Sequence, residues 1–155
     1  MGAGVVSDDV LDRLREGLEA LAAAVAGLPA ERLERRPEEP GGWTARQVLA
    51  HLADFELMAA VRVRTVLSVD RPALASYGQE EFTDRFTWLE TAEEALERFT
   101  VNRKATLRVV AALTPADLER VGVHPERGEE PLRRTLEMLA RHDRAHLEQL
   151  VRARG

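Results

Sequence analysis

The sequence predicts an all-α protein, a four-helix bundle, on three observations. Four stretches carry apolar residues at intervals of three and four, the spacing that lines one face of an α-helix. Two of them open on a capping box, Thr44 with Gln47 and Thr91 with Glu94, in which side chain and backbone at the helix start satisfy each other. At 155 residues the chain is long enough to bury a substantial core as one domain, and it has no low-complexity stretch.

Each element follows from its own residues. Leu11, Leu14, Leu18, Leu21 and Val25 predict a first helix over 8–26, ended by Gly27 and Pro29. The second starts after Thr44 in "GGWTARQVLAHLADFELMAAVRVRTVL" and runs to about Val69, with Val48, His51, Leu52, Phe55 and Ala59 on one face. Thr91 opens the third, whose face is Leu96, Phe99, Thr106, Val110 and Leu113. Pro131 suits the first position of the fourth, which reaches about Arg152. Residues 70–90 form a long crossover with Tyr77, Phe82, Phe86 and Trp88; loops of that length serve as crossovers, lids or binding loops, and these aromatics are expected to anchor it and complete the core. A short repeat, "LPAERLER" at 28–35 and "LTPADLER" at 113–120, follows the first and third helices. It suggests two related helical hairpins that bring the second and fourth helices face to face.

Composition narrows the function. Lys and Arg number 22 against 27 Asp and Glu, a net charge of −5, which argues against a general affinity for nucleic acid. No cysteine is present, so disulfides, thiolate ligands and cysteine nucleophiles are excluded. The N-terminus shows no signal-peptide pattern, Val6 occupies the position where a myristoylated Gly2 would need Ser or Thr, and no segment is apolar enough to span a membrane. A cytoplasmic protein is expected.

The chemistry concentrates in histidines. His142 and His146, four residues apart in "MLARHDRAHLEQL", project from one helix face one turn apart. His51 lies on the inward stripe of the second helix, three residues after Val48 and four before Phe55. Buried imidazoles need partners, and two explanations stand: hydrogen bonds to Asp54 and Asp143, or a shared metal, for which neutral imidazole is a ready ligand. Position 143 is Asp, so the pattern is not the zincin H-E-x-x-H. His124, in a loop before Pro125, is expected to be solvated.

"GGWTARQVLAHLAD", then Arg62, "DRP" and Tyr77, and finally "HDRAHLEQL", together resemble the DinB/YfiT-like superfamily, in particular its DinB_2 branch, which includes bacillithiol S-transferases. The resemblance implies an up-down-down-up bundle whose 70–90 segment crosses between parallel second and third helices. It also implies a divalent ion, zinc or nickel, held by His51, His142 and His146, and a homodimer. Bacillithiol-transferase-like members carry a denser histidine cluster, and a polar residue where this chain has Phe55 or Glu56.

Three protein ligands leave a coordination position open, as catalytic rather than structural zinc sites do. Two chemistries then follow: hydrolysis, or transfer of a low-molecular-weight thiol to an electrophilic substrate. Asp54, about one turn from His51, is the candidate to orient a ligand imidazole or accept a proton. Arg62 lies eleven residues beyond His51, on nearly the same face, where a cation could receive an anionic thiol cofactor or form an internal salt bridge. Tyr77 matches a family position and is assigned a catalytic role. The rival reading is a stress-linked metal- or ligand-binding dimer without catalysis.

Overall fold

Both capping boxes form. Thr44 Oγ1 accepts from the Gln47 amide at 3.2 Å while Gln47 Oε1 accepts from the Thr44 amide at 2.8 Å, and Thr91 and Glu94 repeat the exchange at 3.2 and 2.7 Å. In the computed structural model, which describes residues 8–155, four long helices result: α1 (Asp8–Val25), α3 (Ala45–Ser68), α5 (Ala92–Ala111) and α7 (Leu132–Arg154). Short helices α2 (Ala30–Leu33), α4 (Gln79–Phe86) and α6 (Pro115–Leu118), a 3₁₀ turn (Thr87–Leu89) and two strands, β1 (Val121–His124) and β2 (Gly128–Pro131), join them. The N-terminal reading based on Gly2 and Val6 lies outside the described residues.

Two apolar clusters give the helix directions. One takes Val10 and Leu14 of α1, Val63 and Val66 of α3, Val110 of α5 and Leu132, Leu136 and Leu139 of α7. The other takes Leu21 and Ala24, Val48 and Leu49, Ala95 and Phe99, and Leu150 and Ala153. Thus α3 and α5 run parallel to each other and antiparallel to α1 and α7, the up-down-down-up bundle, and the long segment after α3 is the crossover this order requires.

The two repeat segments contain α2 and α6, one behind each hairpin's first long helix. From each region an arginine caps the second long helix of the other hairpin. Arg120 donates to the carbonyl oxygens of Val66 (2.7 Å) and Val69 (3.2 Å), and Arg32 to that of Arg154 (2.8 Å). Carbonyls at a helix C-terminus lack intrahelical donors, and guanidinium groups satisfy them.

The crossover is more structured than a loop. Its start runs beside β1, with the Leu74 amide donating to Val123 O and the Val123 amide to Pro72 O, both at 2.8 Å. A Cβ on Gly122 would lie 2.8 Å from Leu74 Cδ1, so only glycine admits this approach. Tyr77 and Phe82 pack with their rings tilted at 57°, 4.8 Å between ring centres, and Tyr77 rests on the core. Phe86, the last residue of α4, and Trp88, in the 3₁₀ turn, do not complete the core as expected: they are 41% and 68% exposed, and Thr83 and Thr87 are the buried residues of these two elements. Pro131 also shifts role, ending β2 and preceding α7 as its N-cap instead of taking the first helical position.

Candidate metal centre

The inward stripe of α3 meets α7 at the three histidines. His51 Nε2 lies 3.0 Å from His142 Nε2 and 3.2 Å from His146 Nε2, so all three rings aim the same nitrogen at one point. The i, i+4 spacing supplies two of them from one helix, and the parallel clusters place the third opposite. Trp43, just before the α3 cap, stacks beside His146 (6.3 Å, 17°), while Phe55, one turn after His51, stacks on His142 (3.6 Å, 13°). Aromatic walls therefore fix both ends of the cluster.

Burial, then mutual proximity, holds these imidazoles neutral: His51 is lowered to about 4 and His142 to about 2, and burial also lowers His146. Neutral imidazole is the form that binds metal. The Nε2 spacings approach the ~3.3 Å expected when ligand nitrogens sit tetrahedrally at about 2.0–2.1 Å from zinc. An all-imidazole donor set suits zinc, nickel, copper or iron. The residues present therefore fit a divalent ion. A cavity of about 580 Å³ reaches the cluster, with Trp43, His146, Gln149 and Arg152 in its wall.

Hydrogen bonding to Asp54 and Asp143 does not explain the histidines, because both carboxylates belong to arginines. Asp54 Oδ1 accepts from Arg98 Nη1 at 2.8 Å, and among the described residues no hydrogen bond joins it to an imidazole. The expectation that Asp54 orients a ligand ring is corrected accordingly. Asp143 accepts from Arg103 at 2.6 and 3.0 Å, Glu56 accepts from the same guanidinium at 2.8 and 2.9 Å, and Thr106 donates to Glu56 at 2.7 Å. Arg103 is fully buried, and Gly17 opposite it is required, since a Cβ there would meet Asp143 Oδ2 at 2.6 Å. Sequence reasoning missed this network, although Arg103 falls between Phe99 and Thr106 on the inward face of α5, where a charge is itself a signal.

Asp54, Arg62 and Tyr77 gather on the Phe55 side of the cluster. The Tyr77 ring lies 6.5 Å from that of Phe55, and its hydroxyl is buried without a hydrogen-bond partner among the described residues. Burial and the Asp54 charge raise its pKa, with Arg62 opposing. Asp54 itself is raised by burial despite Arg98. Arg62 is buried, and donates from Nε (3.1 Å) and Nη2 (2.6 Å) to the carbonyl oxygen of Ala75, clamping the crossover to α3; among the described residues no ion pair engages it. His124 is not solvated: it is 4% exposed at the end of β1, where its Nδ1 accepts from the amides of Glu126 (3.2 Å) and Arg127 (3.3 Å) and so organises the hairpin turn.

Fold and site together define a class, helical bundles that converge three imidazoles from their second and fourth long helices. A family model of the DinB superfamily matches residues 13–150. The chain belongs to this superfamily. A protein of Geobacillus thermodenitrificans is 35% identical over 147 residues, covering 91% of this chain and 80% of its own; one of Bacillus mycoides is 27% identical, covering 92% and 84%. Each carries the name "Putative metal-dependent hydrolase". Among solved structures, YfiT from Bacillus subtilis, described as a probable metal-dependent hydrolase with an unusual four-helix bundle topology, superposes with a TM-score of 0.85 at 23% identity over 92% of this chain and 82% of its own. That likeness shows the fold. No helix among the described residues is long and apolar enough to cross a membrane.

Proposed function

We propose that this protein is a divalent-metal-dependent enzyme acting on a small molecule, with zinc or nickel held by His51, His142 and His146. The observation that carries the reading is the convergence of three neutral Nε2 atoms on one point, from a buried His51 and a half-buried His142 and His146. The relatives' names support hydrolysis; transfer of a low-molecular-weight thiol to an electrophile uses the same ligands. A bound divalent ion supplies Lewis acidity, which acidifies a water or thiol at its remaining position.

The chain's own groups have separate roles in this reading. Tyr77 keeps its proton at neutral pH and offers an unengaged hydroxyl to a substrate oxygen or leaving group. Asp54, with Oδ1 held by Arg98, accepts a proton through Oδ2. Arg62, which among the described residues forms no ion pair, faces an anionic group of the substrate or thiol cofactor. The protein works as one domain in the cytoplasm, as a homodimer. Metal content of untagged protein, followed by hydrolytic substrates and a thiol panel with a halogenated electrophile, tests the proposal. His142→Ala is expected to abolish metal uptake and turnover while retaining helical content. Stoichiometric metal in that variant rules out the ligand set, and metal without turnover favours a non-catalytic binding protein.

A further inference from the structure

Only one of the two α7 imidazoles has a fixed far side. His146 Nδ1 lies 2.7 Å from Gln149 Oε1, three residues on along the same helix, whereas His142 Nδ1 is buried without a partner among the described residues. A histidine offers its Nε2 lone pair to the cluster only when its proton sits on Nδ1, and an acceptor at Nδ1 enforces that tautomer. We infer that Gln149 is a positioning residue of the metal centre, its side-chain carbonyl holding His146 in the ligating tautomer and orientation. The inference deepens the proposed metal site and rests on it.

The amide orientation follows from the same geometry. With Nε2 committed to a metal, the Nδ1 that lies 2.7 Å from Gln149 carries the proton, and Gln149 then presents oxygen, not nitrogen. The helix supplies this contact by the i, i+3 register, without loop or turn. Gln149 also lines the 580 Å³ cavity and lies outside both apolar clusters, so its replacement leaves core packing alone. Trp43, whose ring lies near-parallel to that of His146 at 6.3 Å, has an indole N–H that only donates and so offers Nδ1–H no acceptor.

Gln149→Leu removes the acceptor at similar size; Gln149→Glu keeps an acceptor and adds charge. Zinc affinity, measured by competition with a chromophoric chelator, is expected to weaken about 10- to 100-fold in Gln149→Leu and to be kept or strengthened in Gln149→Glu. Thermal midpoints of the metal-free proteins should match. Imidazole ¹⁵N shifts of metal-free protein should show His146 protonated at Nδ1 in the parent, and redistributed between nitrogens in Gln149→Leu. Affinity within about twofold of the parent in Gln149→Leu, or an equal loss in both variants, overturns the assignment. A parent that takes up no zinc refutes the metal site instead. The His146 tautomer then decides the Gln149 contact by itself: an unchanged tautomer in Gln149→Leu overturns it.

Discussion

Replacing Arg103 by Met tests whether the charged network beneath the histidines is held by its single cation. Arg103 makes five hydrogen bonds, four to Glu56 and Asp143 and one to the Leu14 carbonyl oxygen. Met fills much of the volume but leaves Glu56 with only Thr106 and Asp143 with no arginine. Breaking a buried pair by removing one partner costs about 3–5 kcal/mol. At about 2–4 °C per kcal/mol for a domain of this size, the midpoint should fall by about 6–20 °C. The loss should depend on pH in a stated direction. Burial already raises Asp143 while Arg103 opposes it, so without Arg103 its carboxyl rises further. A carboxyl with a raised folded-state pKa binds protons more readily folded than unfolded, so acid stabilises the variant relative to the parent. Circular dichroism melts of metal-free protein at about pH 8 and about pH 5.5 should show the gap between parent and variant narrowing at the lower value. A shift below about 2 °C, or a gap that widens in acid, refutes this account of the network.

The histidines impose the opposite trend on the parent. His51 and His142 sit at about 4 and about 2, below the unfolded value of ~6.5, so the stability they contribute is present above ~6.5 and lost as pH falls through their folded values. Metal-free protein should therefore melt progressively earlier below ~6.5, and a flat profile there argues against buried neutral imidazoles. Metal binding should persist further into acid than ordinary imidazoles allow, as a zinc titration across that range checks. Tyr77→Phe deletes a hydroxyl that makes no hydrogen bond among the described residues, so the denaturant midpoint should hold or rise while turnover changes. A lowered midpoint with unchanged turnover excludes its catalytic role.

Much of the bundle was legible because its determinants are local. Thr44 and Thr91 announce their helices through residues three positions away, and Leu11 to Val25 repeat the helical period without interruption. His142 and His146 share a face by geometry alone, so the α7 half of the site could be read directly. The rest depends on distant partners. Asp54 looked available to His51 because both lie on α3, but Arg98 arrives from α5, and no local pattern announces it. The hairpin over 121–131 escaped notice because its strands have four residues each and β2 carries two glutamates. His124 was misplaced for the same reason: its burial comes from the turn it closes and the crossover beside it.

The division of ligands between the two hairpins makes the site a reporter of their assembly. His51 belongs to the chain before the crossover, and His142 and His146 to the chain after it. Cut between α4 and the 3₁₀ turn, the protein would yield one fragment with a lone imidazole and another with an i, i+4 pair. Neither fragment has all three of the converging donors. An ion retained by all three would act as a cross-link across 91 residues of sequence, closing a chain loop that contains α4, α5 and the hairpin. Metal loading and docking of the halves are then a single equilibrium viewed from two ends.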